Sequence, residues 1–141
     1  MSTEENKAVL RRNGKVFNKG DLAVADETIA PNYVYHGLGG MELKGREGFK
    51  QVITMMRNAF PDLNLTVEDM VAEGDKVAHH LILRGTHKGE LMGIAPTGKQ
   101  VTISIITISR FVGGKEVEAW SNLDQLGMMQ QIGVALPMGQ A

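Results

Sequence analysis

At Pro61 the apolar residues of this chain change their spacing, and the change decides most of what the chain can become. Before it, Phe49, Val52, Ile53, Met56 and Phe60 fall at i, i+3, i+4, i+7 and i+11, one face of a helix. After it, Leu63, Leu65, Val67 and Val71 alternate with polar residues, and in a strand alternate side chains share a face. Proline closes the first pattern because it has no amide hydrogen to continue a helix. Helices come first and strands after, the order of an α+β domain with helices packed on one face of a curved sheet.

The remaining elements follow the same logic. Residues 3–18 read as a helix with Thr3 as N-cap, Glu4 and Glu5 in its first turn and an apolar stripe of Ala8, Val9, Leu10, Val16 and Phe17. Gly20 stops it, Asp21 caps a shorter helix over 22–30, and Pro31 closes that one. A short strand NYVYHG (32–37) and a glycine-rich loop LGGMELKG lead to the helix over 46–60. Strands are expected from Leu63 to Val71, over 77–88, over 101–112 and over 116–124, with turns at EGDK and at GGK (113–115). A short helix over 125–133 and an irregular tail, VALPMGQA, finish the chain. With 141 residues and no repeat or linker, residues 1–141 are expected to form a single domain.

Composition narrows function mainly by exclusion. Fifteen basic and 16 acidic residues give a net charge of -1, which argues against nucleic acid as a partner. No cysteines are present, so disulfides, thiolate metal sites and cysteine nucleophiles drop out. No apolar run approaches the roughly 20 residues of a membrane span, and MSTEENKAVLRRNGKVF is charged throughout, so a soluble cytoplasmic protein without membrane contact is expected. No Gly-rich phosphate loop joins a strand to a helix, and no G-x-S-x-G elbow supports a serine hydrolase. The four histidines, His36, His79, His80 and His87, offer no paired ligand spacing, and no metal is expected.

What remains is AWSNLDQLGMMQQIG (119–133), where Trp120, Asn122 and Asp124 share a strand face. The GGK turn sets a register with Arg110 near Glu118, Ile108 near Trp120, Ile106 near Asn122 and Ser104 near Asp124. On this reading the even-numbered face lines a cavity. A carboxyl there has its charged form disfavoured and can serve as acid and base. Asp124 is equally suited to cap the helix that follows it. For the strand over 77–88, the face with His80, Ile82, Arg84 and Thr86 and the face with His79, Leu81, Leu83 and His87 are both candidates for the interior.

The stretches NKGDLAVADETIAPNYVYHG, GREGFKQVITMMRNAFPDLNLTVEDMVAEGDKV, LRGTHKGELMGIAPTGKQV and W-x-x-x-D-x-x-G-x-x-x-Q-x-G, in this order from about residue 8 to 133, resemble the SnoaL-like polyketide cyclases of the NTF2-like superfamily. The resemblance implies a cone-shaped, curved antiparallel sheet packed around a long helix, with a deep pocket at one end. It also implies ring closure of a polyketide ester by intramolecular aldol condensation, without cofactor or metal. Asp124 matches the acid/base aspartate of these cyclases. The helper histidine on their penultimate strand has no counterpart, since that position falls on Arg110 or a neighbouring Ser or Ile.

From the residues and the resemblance together, Asp124 is the expected catalytic group, with His36, Trp120, Asn122, Arg84, Met56 and Phe60 as substrate contacts and Met55 as a weaker one. The substrate expected is a small apolar or aromatic polycarbonyl compound. The alternatives are a non-catalytic binding protein on the same fold and an epoxide hydrolase, which needs an Asp-Arg-Asp set. The strand VTISIITISRF carries Val101, Ile103 and Ile105 on its odd face. With the even face inward, that odd face is expected to form a homodimer interface or to be covered by the C-terminal tail.

Overall fold

A computed structural model describes residues 2–37 and 40–134. The expected irregular tail from residue 135 onward lies outside the described residues, as do positions 38 and 39 of the glycine-rich loop.

The first helix, α1 (Thr3–Lys19), is capped by Ser2 rather than Thr3. Ser2 Oγ accepts from the Glu5 amide and Glu5 returns a bond to the Ser2 amide, a capping box that an N-cap one residue later could not make. Gly20 closes the helix at φ 72°. A 3-10 turn (Leu22–Val24) and the single-turn helix α2 (Ala25–Thr28) follow, so the helix expected to reach Pro31 ends at Thr28. Pro31 instead lies within strand β1 (Ile29–His36). It falls in the stretch between Ile29 and Val34 where the ladder to its neighbour is irregular, and a residue without a donor is tolerated there. A three-residue strand, β2 (Glu42–Lys44), is too short to show any period and escaped the sequence reading. Helix α3 (Gly45–Ala59) buries Phe49, Val52, Ile53, Met56 and Ala59, the face its spacing predicts.

Four long strands complete the sheet: β3 (Asn64–Glu73), β4 (Lys76–Thr86), β5 (Gln100–Val112) and β6 (Lys115–Leu123), with helix α4 (Gln125–Ile132) after them. Their order in space is β2-β1-β6-β5-β4-β3. Neighbours are antiparallel except β1 and β6, which run parallel and join the two ends of the chain. The mixed helix-and-sheet architecture is the α+β class expected.

The β5–β6 register is the one read from the turn: Arg110 faces Glu118, Ile108 faces Trp120 and Ile106 faces Asn122. The inward face is the opposite one. Val101, Ile103, Ile105, Thr107 and Ser109 of β5 are buried, whereas Ile106, Ile108 and Trp120 are 56%, 42% and 36% exposed. Each face of β5 carries one valine and two isoleucines. Those of the odd face, Val101, Ile103 and Ile105, join one buried cluster with Met128, Met129 and Ile132 of α4 and with Val52 and Met56 of α3. The two hydroxyl residues in the middle of that face disguise it in sequence. On β4 the open choice resolves the same way, with Val77, His79, Leu81 and Leu83 buried and Arg84 exposed.

Alternation breaks once on β6, and the break has a consequence for the interior. Arg110 pairs with Glu118 but Phe111 pairs with Glu116, leaving Val117 as an extra residue. Such a bulge re-aims side chains on one side of it. Glu116 shares the even parity of Glu118 and Trp120, yet it is 3% exposed.

Candidate active-site cavity

Helices and sheet do not close completely on each other. Between them lies a pocket with about 950 Å³ of unfilled space, its solvent-facing mouth included. Leu10, Asn13, Gly14 and Phe17 of α1 and Phe49, Val52, Met55 and Met56 of α3 form its helical wall. Leu65, Leu81, Leu83, Ile105 and Leu123 form much of the sheet wall. This is the usual chemistry of a small-molecule site, an apolar concavity with a few placed polar groups.

The titratable residues on its lining are Tyr33, Tyr35, His79 and Glu116. Glu116 Oε1 accepts a 2.9 Å bond from Asn13 Nδ2, and Asn13 Oδ1 accepts from Thr28 Oγ1. Burial pushes the Glu116 carboxyl up to about 7 against the opposing pull of hydrogen bonds from Ser109 and Asn13. Ser109 Oγ also lies 3.4 Å from Nε2 of His79. Burial takes the His79 imidazole down to about 4, so at neutral pH the ring is uncharged. Its Nδ1 is buried and has no hydrogen-bond partner among the described residues.

A second polar group on the lining is made of hydroxyls. Thr107 Oγ1 donates to Ser121 Oγ at 3.1 Å, and the Ser121 hydroxyl also stands beside the Tyr35 phenol, pulling its pKa down against burial. The Tyr35 ring lies where a β-carbon on Gly37 would stand, 2.3 Å from its nearest ring atom, so only glycine leaves the ring that position. Burial raises the Tyr35 phenol, and burial followed by the nearby Glu116 and Tyr35 raises Tyr33 further.

The expected site residues divide sharply. Met56 lines the cavity, and so does Met55. Asp124 does not: it is exposed and its carboxyl accepts from the Gly127 amide at 2.9 Å, the N-cap of α4. Asn122 is exposed on the outer face. Trp120 stacks there on His36, centroids 5.6 Å apart and planes 11° from parallel, with the Lys76 ammonium 5.9 Å from the ring. His36 Nε2 is bonded to Glu118 at 2.7 Å, and Glu118 also accepts from Arg110. Arg84 is exposed and Phe60 is fully buried beside His87, so neither contributes to the lining. All these displacements except that of Phe60 follow from the one inverted face. Glu116 and His79 were missed for different reasons. The bulge hid the parity of Glu116, while His79 stood on a strand whose inward side the composition left undecided.

The SnoaL-like polyketide cyclase family matches residues 7–132. The chain belongs to this family. Among its curated relatives is the aklanonic acid methyl ester cyclase AcmA of Streptomyces galilaeus, 30% identical over 135 residues, covering 94% of this chain and 94% of the relative. The nogalonic acid methyl ester cyclase of Streptomyces nogalater is 29% identical over 127 residues, covering 86% of this chain and 92% of that one. The crystal structure of wild-type IdmH from Streptomyces antibioticus superposes with a TM-score of 0.80 at 36% identity, over 92% of this chain and 99% of that one. In this member of the family, the polar residues of β5 and β6 that reach the cavity are Thr107, Ser109, Glu116 and Ser121.

Proposed function

We propose that the chain is a cofactor-independent cyclase that closes a ring in an apolar polycarbonyl ester by intramolecular aldol condensation. The observation that carries this reading is the apolar cavity itself, in which a carboxyl with a pKa near neutrality and a hydroxyl cluster share the lining. The reaction asks for little more. A proton leaves a carbon between two carbonyls, that carbon bonds to a third carbonyl carbon, and the carbonyl oxygen takes up a proton. A dry cavity that holds the folded conformer supplies much of the rate. The hydroxyls of Thr107, Ser121 and Tyr35 suit the oxygen under attack, where negative charge develops.

The curated relatives act on aklanonic and nogalonic acid methyl esters by name, and compounds of that class are the first to test. Incubation with each ester should give a product of unchanged mass and altered retention, because ring closure only isomerises the substrate. Tight binding of both without any conversion would move the reading to a non-catalytic binding protein.

The reading also includes a homodimer and residence in the cytoplasm. Ile106, Ile108 and Trp120 leave an apolar patch on the outer face of the sheet, and such patches commonly become interfaces. The dimer would therefore use the even face, not the odd one expected from sequence. Sedimentation at micromolar concentration should give twice the 15.4 kDa chain mass, and Ile108→Glu should halve it.

A further inference from the structure

Resting on the cyclase reading, we propose that His79, Ser109 and Glu116 form a proton relay, in which His79 Nδ1 exchanges the proton with the substrate and Glu116 holds it between the two halves of the reaction.

The case begins with connectivity. The Ser109 hydroxyl stands beside the Glu116 carboxyl and pulls its pKa down against burial, and Ser109 Oγ lies 3.4 Å from His79 Nε2. The far nitrogen of the ring, Nδ1, is buried without a partner, on a residue that lines the cavity. A buried polar atom left unpaired costs free energy, and a ligand group in the cavity would relieve that cost. One end of the chain of groups is therefore an unpaired nitrogen on a cavity-lining residue, and the other is closed by Asn13, whose amide is itself fixed by Thr28.

Charge gives the second argument. If His79 acted alone as a base it would become an imidazolium, which burial strongly disfavours at this position. If Glu116 is ionised, the relay avoids that state. Nδ1 takes the carbon-bound proton, Nε2 passes its own proton to Ser109 Oγ, and the Ser109 hydroxyl proton goes to the Glu116 carboxylate. The histidine ends neutral in its other tautomer, and the negative charge has moved from Glu116 to the enolate. The new carbon–carbon bond then turns the enolate into an alkoxide, which takes the proton back from Nδ1 as the relay reverses. One negative charge is present throughout and no cation forms. In an apolar site, where creating separated charges is expensive, this is the favourable route.

The groups facing Glu116 are compatible with that cycle. Tyr33 from β1 raises no competing positive charge, α1 contributes the neutral amide of Asn13, and β4 contributes His79 through Ser109. With its proton released near pH 7, Glu116 is close to the poise that suits both giving and taking a proton at neutral pH.

Two readouts test the relay, one of which needs no turnover. In ligand-free protein, the 15N shifts of His79 should switch tautomer between pH 5 and 9 with the same midpoint as the Glu116 carboxyl carbon. Glu116→Gln should abolish the switch, and Ser109→Ala should leave Glu116 titrating while His79 no longer follows. A His79 tautomer indifferent to Glu116 ionisation in the wild-type protein overturns the proposal. With aklanonic acid methyl ester as the probe, Glu116→Gln and Ser109→Ala should each lower kcat by about 100-fold or more with little change in KM. The wild-type kcat should rise with pH through Glu116 ionisation. If Ser109→Ala keeps full turnover while Glu116→Gln is inactive, Glu116 acts on substrate directly and the relay is wrong. If the wild-type protein binds the ester but never converts it, the cyclase reading fails for that ester, and the tautomer measurement still decides the relay.

Discussion

Asn13 on α1 donates a 2.9 Å hydrogen bond to Oε1 of Glu116 on β6, joining residues 103 positions apart in the chain. Its amide cannot turn over without also losing the bond that its oxygen accepts from Thr28. A donor held in that way favours the ionised carboxyl, yet burial outweighs it and keeps the proton on to about pH 7. The pair is thus a balance of two opposing effects at one atom.

That balance makes stability depend on pH in a specific direction. Glu116 binds its proton more tightly folded (about 7) than at its ordinary value of 4.5, so its contribution falls as pH rises from 4.5 to 7. His79 is the reverse: its folded value of about 4 lies below 6.5, so its contribution rises with pH across 4 to 6.5. Each effect is worth up to about 3 kcal/mol, and between pH 4.5 and 6.5 they oppose each other. Relative to wild type, Glu116→Gln should become more stable as pH rises through this window and His79→Phe less stable. Urea midpoints at a series of pH values measure both slopes, and equal slopes in the two variants would show the assignments to be wrong.

Asp124 offers a clean contrast between cap and catalyst. Asp124→Ala should cost about 1 kcal/mol through the loss of the bond to Gly127. Asp124→Asn keeps a favoured cap and should fold normally, with kcat within several-fold of wild type. A collapse of turnover in a stable Asp124→Asn protein would return the acid/base role to the aspartate.

Gly14 lies on the cavity wall with no atom within 4 Å of where its β-carbon would stand. Gly14→Leu should therefore raise helix stability by about 0.8 kcal/mol while filling part of the site. A higher Tm with weakened ester binding is the expected result. Unchanged binding would mean that the ligand sits elsewhere.

Gly89 shows the opposite case. A β-carbon there would stand 1.8 Å from the carbonyl oxygen of Asn58, where α3 ends and the Gly89 amide bonds Ala59. Backbone cannot yield as a side chain does, so Gly89→Ala should cost at least about 2 kcal/mol. Thermal melting checks this, and a loss under about 0.5 kcal/mol, the range of neutral surface changes, would contradict the close approach.

The elements were legible because period and punctuation agreed: α3 buries the residues its spacing selects, and the GGK turn fixes β5 against β6 in the register observed. Which face turned inward was not legible, because a cavity inverts the usual clue. Thr107, Ser109 and Ser121 sit inside where a packed core would have aliphatic groups, while Ile106, Ile108 and Trp120 are left outside. The family motif located the conspicuous aspartate and tryptophan, whereas the titratable cavity residues were a glutamate turned by a bulge and a histidine on an ambiguous strand. Pro31 failed as a helix terminator for a local reason, an irregular ladder that has no need of its missing donor.

The parallel pairing of β1 with β6 also fixes when the cavity can exist. Before β6 is made, β1 and β2 have no neighbour on one side and the β3–β5 sheet ends in a bare edge at β5. Closing that gap requires contact between segments more than 80 residues apart, as with His36 and Trp120, and such non-local closure slows folding. Glu116 arrives on the same strand, opposite Ile29 of β1. A nascent or truncated chain that ends before Lys115 thus lacks both the seam of the sheet and the acid of its pocket, and the two are acquired in a single event.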